Sequence, residues 1–286
     1  MPDLDHRLNA YRDDLADISL EGKVDAKKFV KPHAMQVTAH FADLKSKPDS
    51  AASLDAQVLH GDVLNVFEQS NGWAWVQSTV DNYVGYVRDH ELGDVGREPT
   101  HLVLAPHTFL YPEPDMKSAR CGYHSMGSKL IVTEKVTTRG TDFCILDSGE
   151  AIIAKHIFRL GDWRTDFVSV AETLINAPYL WGGNTGFGVD CSGMISLAFR
   201  LCGKTVFRDT DMQANSIGEE LTPQPNYSNL QRGDLVFWNG HVGVMAGKKY
   251  LLHANGNSMN VALEPLKEAV ERIAYLYGKP TIIRRP

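Results

Sequence analysis

Cysteine is scarce in this chain. Cys121, Cys144, Cys191 and Cys202 are the only four in 286 residues, and no two stand in a CxxC pair. That spacing excludes the paired thiolates of a structural zinc site and the density of a small secreted disulfide scaffold. Two buried thiols, rather than a bridge, are expected at 121 and 144. Long apolar runs are also missing, so no segment reaches the ~20 residues of a membrane span, and no membrane partner is expected. Net charge is −6 and no dense Lys/Arg cluster occurs, which argues against nucleic acid. The start, Met1-Pro2-Asp3-Leu4-Asp5-His6-Arg7, has no apolar core behind it, so a cytoplasmic location is expected. Gly182-Gly183-Asn184-Thr185-Gly186 lacks both P-loop lysine and GxGxxG spacing; no cofactor is expected.

What the chain does have is a hydrophobic content of 43%, enough for ordinary cores in two or three domains. Its most informative segment is Tyr179-Leu180-Trp181-Gly182-Gly183-Asn184-Thr185-Gly186-Phe187-Gly188-Val189-Asp190-Cys191-Ser192-Gly193. A glycine-rich loop runs into Asp190, a good N-cap. Met194, Leu197, Ala198, Leu201 and Cys202 then recur at helical spacing, and Gly203 stands where the helix would end. Cys191 would occupy the first turn, where unpaired amides and the helix dipole favour an anion and lower a thiol's pKa. A buried core cysteine is the plain alternative. The preceding glycines, which let a substrate backbone approach, favour a nucleophile.

Downstream, Leu235-Val236-Phe237-Trp238 and His241-Val242-Gly243-Val244-Met245 read as strands around the turn Asn239-Gly240. A third strand, Tyr250-Leu251-Leu252-His253-Ala254, follows Gly247-Lys248-Lys249. A three-residue loop pairs Ala246 with Tyr250 and Gly243 with His253, which puts His241 and His253 on one face as diagonal neighbours. The opposite face then carries Val242, Val244, Ala246, Tyr250 and Leu252 as core. With Cys191, the two histidines fit a nucleophile, a general base and a group that orients the base. The same three residues are zinc-ligand types, but no fourth ligand is evident and no metal is expected.

Asp190-Cys191-Ser192-Gly193, Gly240-His241-Val242-Gly243 and the later His253, in this order and spacing, resemble the NlpC/P60 family of bacterial cysteine peptidases. The resemblance spans residues 161–286. It implies a papain-like domain with Cys191 as nucleophile, His241 as base and acid, and His253 orienting it. The backbone amide of Cys191 would serve the oxyanion hole.

Residues 34–97 are rich in β-branched and aromatic residues, cut at short intervals by Gly61-Asp62, Asn71-Gly72 and Asp81-Asn82. The series Gly61…Val66…Gly72-Trp73…Val76…Gly85-Tyr86-Val87 resembles a bacterial SH3 (SH3b) domain. A diverged second copy is read near 100–158, with Gly127-Ser128-Lys129-Leu130-Ile131-Val132 as its central strand and Phe143 in place of tryptophan. Leu4, Leu8, Tyr11 and Leu15 stand at mixed helical spacing. The expected fold class is therefore α+β: a helical arm (1–32), two small SH3-like β-barrels (33–97 and 98–160), then the NlpC/P60 catalytic domain (161–286).

Within the family, Arg208-Asp209-Thr210-Asp211-Met212-Gln213 resembles the substrate segment of cytoplasmic enzymes that recycle murein peptides. Those cleave the γ-D-glutamyl–L-diamino acid bond of small peptides with a free N-terminal L-alanine. On that match Asp209 would pair with the substrate α-ammonium, assisted by Thr210, Tyr179 and Ser192. Tyr83 would close the cleft from the first barrel. A monomer acting on a small murein peptide is the expectation. The competing readings are an SH3b wall-binding protein with an inactive peptidase domain, or a thiol amidase or acyltransferase acting on another amide.

Overall fold

The computed structural model describes residues 4–286; the first three residues of the expected arm lie outside them. The chain divides into two units, residues up to Leu160 and Gly161–Pro286.

In the first unit, tight turns with left-handed residues, at Gly61 (φ 79°) and at Asn71-Gly72 (φ 54° and 80°), fold the strands back on one another. The result is a seven-stranded antiparallel sheet. Its order is Leu54–Leu59, Phe41–Lys45, Val84–Arg88, Trp73–Ser78, Val63–Ser70, His33–Val37, Leu92–Gly93. The first and last strands do not pair with each other, so the expected closed barrel is an open, strongly bent sheet with bulges at Leu44/Lys45 and Val66/Glu68. Val37, Leu44, Leu64, Val66, Val76 and Val87 fill its inside.

Residues 101–159 form a five-stranded sheet and a three-stranded sheet around Val103, Leu110, Leu130, Leu146 and Ile152. Here the meander Val132–Thr138, Thr141–Leu146, Ala151–Ile153 ends in a 3-10 turn, Ala154–His156, and a short strand, Ile157–Arg159. The first sheet ends its own meander alike, with a 3-10 turn at Asp89–Glu91 before Leu92–Gly93.

The expected N-terminal helix does not form. Among the described residues of 4–32 the helical structure is one 3-10 turn, Ile18–Leu20, beside the parallel two-residue strands Ala16–Asp17 and Phe29–Val30. A helix this short gains little alone. Ala10 and Leu15 instead bury against Phe67 and Trp75, and Arg12 reaches Glu68 (2.8 Å) and the Tyr86 hydroxyl (3.0 Å). The segment is an arm, held by aromatics rather than by its own turns.

In the second unit four α-helices accompany a six-stranded antiparallel sheet and a two-stranded ladder, Asn184–Thr185 with Gly188–Val189. The helices are α1 (Phe167–Glu172), α2 (Cys191–Leu201), α3 (Thr210–Ser216) and α4 (Leu266–Tyr277). The strands are β1 (Leu235–Trp238), β2 (His241–Met245), β3 (Tyr250–Asn255), β4 (Asn260–Pro265) and β5 (Ile282–Arg285), in the order β5-β1-β2-β3-β4, with Glu219–Glu220 outside β5. Met245 and Leu251 face Leu266, Ala269 and Ile273 of α4. Val242, Val244 and Leu252 alternate to the other face and are equally buried, and α2 packs on β2 and β3. Both faces are therefore covered. Tyr250, expected in the core, is exposed at the start of its strand, and Ala246 is half-buried.

Candidate active site

The start of α2 is fixed by Asp190. Its carboxylate accepts from the amide of Gly193 at 2.7 Å, as an N-cap does, and from the amide of Gly182 at 3.0 Å. The helix ends at Leu201, with Gly203 left-handed at φ 72°. Two glycines flanking Cys191 are packing devices. A Cβ on Gly183 would stand 2.6 Å from the carbonyl oxygen of Gly188, and one on Gly193 would collide with the carbonyl of Gly183. The loop packs directly against the first turn of α2, which carries Cys191.

Beneath the cysteine is a sealed ion pair that no local pattern announced. Arg208, 1% exposed, donates to both carboxylate oxygens of Asp190 (3.0 and 2.7 Å) and to the hydroxyl of Ser192 at 2.8 Å. Ser192 is buried and donates to Asp190 at 3.3 Å, so its hydroxyl is already engaged within this network.

Cys191 is 7% exposed. Burial and the neighbouring Asp190 push its thiol up to about 12, against the lowering expected from a helix start. Backbone amides and Arg208 act in the expected direction but are outweighed by desolvation. The amides of Val242 and Ser192 donate to the sulfur. The first is available because the β2–β3 ladder pairs Val244 with Leu252 and Met245 with Leu251, the register of the three-residue loop, and stops there. Val242 is thus freed from β3, and the cysteine meets the residue that follows His241.

His241 and His253 are joined Nε2 to Nδ1 at 2.8 Å, their rings 5.0 Å apart and near perpendicular. His253 is 0% exposed and its Nε2 meets Glu264 at 2.6 Å. Glu264 in turn pairs with Arg272 of α4. A carboxylate only accepts, so the hydrogen bonds assign the protons: His253 Nε2–H donates to Glu264, and His241 Nε2–H donates to His253 Nδ1. The lone pair of His241 is left on Nδ1. Burial, then the His253 neighbour, hold the His241 imidazole down to about 3. At neutral pH the site rests as thiol and imidazole.

A cleft of about 530 Å³ opens on His241, lined also by Tyr179, Trp181, Asn255, Arg272 and the end of α4. Burial, then the adjacent Cys191 and Asp190, raise the Tyr179 phenol above its usual range, which sets it beside the cysteine. Asp209 and Thr210 are half-buried at the start of α3, directly after Arg208. Asp209 takes the N-cap position but makes no capping bond to its helix. Tyr83 is 5% exposed and lies in the core of the first unit with Val58, Leu64 and Val76. Cys202, read as core, is the half-buried C-cap of α2, and all four cysteines are free thiols. Glu264, Arg272 and the pairing of Arg208 with Asp190 were missed by sequence reading.

A thiol at a helix start, amides directed at its sulfur and an imidazole whose free nitrogen is fixed by a second imidazole have the composition of a cysteine peptidase site. Comparison with known proteins agrees. The model of the NlpC/P60 family matches residues 176–277, and that of the bacterial dipeptidyl-peptidase Sh3 domain matches residues 44–92. Dipeptidyl-peptidase 6 of Lysinibacillus sphaericus is 32% identical over 247 residues, spanning 79% of this chain and 89% of that protein. A gamma-D-glutamyl-L-lysine dipeptidyl-peptidase of Bacillus cereus is 26% identical over 249 residues, 76% of this chain and 72% of the relative. The crystal structure of an NlpC/P60 family protein from Bacillus cereus shares the fold, with a TM-score of 0.73 and 20% identity over 88% of this chain and 99% of that one. The chain belongs to the NlpC/P60 family and is a cysteine peptidase carrying an SH3 domain. No helix among the described residues is long and apolar enough to cross a membrane.

Proposed function

We propose that the enzyme hydrolyses the γ-D-glutamyl–L-diamino acid bond of small murein peptides that carry a free N-terminal L-alanine. The observation that carries the chemistry is the Cys191–His241–His253 arrangement, in which hydrogen bonds leave a basic nitrogen at His241 Nδ1. The relatives named for the γ-D-glutamyl-L-lysine bond supply the substrate class.

Cys191 attacks the scissile carbonyl as His241 Nδ1 takes its proton, so the thiolate exists only during attack. That order suits a sulfur held as a neutral thiol. The backbone amide of Cys191 at the helix start donates to the developing oxyanion. His241 returns the proton to the leaving amine. Water, activated by the same imidazole, then releases the dipeptide from the thioester. Asp209 receives the substrate α-ammonium. Its carboxylate is half-buried at the start of α3, and Thr210 and Tyr179 offer further acceptors. Ser192 contributes through the Arg208–Asp190 network that anchors this wall.

A site that demands a free ammonium confines the enzyme to peptides already cut from the glycan. That pool is the one recycled in the bacterial cytoplasm, and the expected cytoplasmic location is part of the proposal. Residues 98–160 are read as a diverged second SH3-like domain, supported by the 3-10 turn and short strand that close both meanders. The test is to incubate the enzyme with L-Ala-γ-D-Glu-L-Lys and its diaminopimelate counterpart and to identify products by mass spectrometry. Release of L-Ala-D-Glu from either supports the proposal. Cleavage at another bond, or of neither peptide, refutes it.

A further inference from the structure

The Cys–His–His arrangement leaves one half-buried ion pair unexplained. Glu264 on β4 and Arg272 on α4 pair with each other, the carboxylate touches His253, and Arg272 lines the cleft. Glu264 arrives there because β4 sets it opposite Leu251, on the same face of the sheet as His253. We propose that Glu264 and Arg272 are positioning residues that set where the catalytic proton's charge resides. The inference rests on the reading of Cys191 and His241 as nucleophile and base.

When the thiol proton arrives at His241 Nδ1, the proton on His241 Nε2 can move along the 2.8 Å bond to His253 Nδ1. One proton enters and one leaves, so His241 returns to a neutral ring and the positive charge comes to rest on His253, against the Glu264 carboxylate. A charge that needed solvation in the cleft is thereby held beside a fixed anion. Arg272 keeps the balance. With the His253 hydrogen bond its guanidinium keeps Glu264 ionised, and it opposes part of the carboxylate's field at His241, so that imidazole stays neutral until the thiol gives up its proton. The other charged or titratable groups facing the pair are Cys191 on α2 and Tyr179 before the glycine loop. Asp190 and Arg208 lie beyond the cysteine and neutralise each other.

Opposite charges predict opposite effects. Arg272→Gln removes the opposing cation, so His241 becomes more basic. The acid limb of kcat/KM is expected to rise by on the order of one pH unit. Glu264→Gln keeps an acceptor for His253 Nε2–H and loses only the charge. It is expected to lower kcat about tenfold or more with little change in KM. Introduced into Arg272→Gln, it is expected to carry the acid limb back down. Arg272→Lys and Glu264→Asp, which restore charge, are expected to keep the wild-type limb and to show that side-chain loss alone is not the cause. The same pKa is read independently by NMR titration of the His241 ring in each variant. Opposite shifts in both readouts support the inference. An unmoved His241 pKa overturns it and leaves the assignment of nucleophile and base standing. A His241 pKa that moves while the acid limb does not overturns His241 as the base, and the inference falls with it.

Discussion

Two carboxylates flank the reacting pair, and each is held by an arginine, yet their settings differ. Asp190 is sealed, fixed by Arg208 on both oxygens and by the amides of Gly182 and Gly193. Glu264 is half-buried and spends one oxygen on His253, and its partner Arg272 borders the cleft. The first carboxylate has no lone pair left to share with a proton in transit, so it is scaffold. The second touches the imidazole that holds the base, so its charge bears on the chemistry. An ion pair near an active site is thus judged by what its spare hydrogen-bonding capacity reaches, not by its distance from the nucleophile.

The sharpest break of the comparison begins at the sulfur. Cys191→Ala is expected to abolish turnover, by 10⁴-fold or more, with the melting temperature nearly unchanged. On the scaffold side, Arg208→Met leaves Asp190 buried without its cation. It is expected to cost roughly 3–5 kcal/mol of stability by denaturant unfolding and to take activity with it. On the proton side, His241→Ala is expected to approach the loss of the cysteine. His253→Ala is expected to be milder, by about 10²- to 10³-fold in kcat, because the base is misoriented rather than absent. The contrast fails if Arg208→Met leaves stability intact.

The resting charges give a pH dependence. His241 is held from 6.5 down to about 3, so its contribution to stability is present above 6.5 and is lost as pH falls toward 3. Cys191 is raised from 9.0 to about 12, so its contribution is present below 9 and is lost as pH climbs toward 12. Melting temperature against pH is expected to be steeper on the acid side in the wild type than in His241→Gln. Iodoacetamide is expected to label Cys191 slowly at neutral pH and faster above pH 9; rapid labelling at pH 6 would show a thiolate at rest. The smallest effect belongs to Cys202→Ala. Its half-buried C-cap site predicts about 1 kcal/mol of stability and unchanged turnover.

What could be read in the chain was what local pattern encodes. Asp190 as cap, the turn at Asn239-Gly240 and the parity of the loop at 247–249 are short-range facts, and the structure reproduces them. Arg208 and Asp190 lie 18 residues apart, and Glu264 reaches His253 from a neighbouring strand; such meetings depend on packing that no periodicity carries. The thiol was misjudged for the same reason. A helix start is visible in sequence, whereas the depth of burial that overrides it is not. The arm was misread because its apolar spacing is real but its partners, Phe67 and Trp75, lie 52 to 65 residues away. The SH3 meander was legible from its turns; that its sheet stays open was not.

The most direct test of the account compares L-Ala-γ-D-Glu-L-Lys with the same peptide N-acetylated, in the wild type and in Asp209→Asn. A carboxylate deprived of its cation predicts that the wild type prefers the free peptide by about a hundredfold or more in kcat/KM, and that Asp209→Asn narrows the gap chiefly by losing the free substrate. Equal cleavage of free and acetylated peptides by the wild type would contradict it, leaving a thiol peptidase without the free-ammonium specificity on which the recycling role depends.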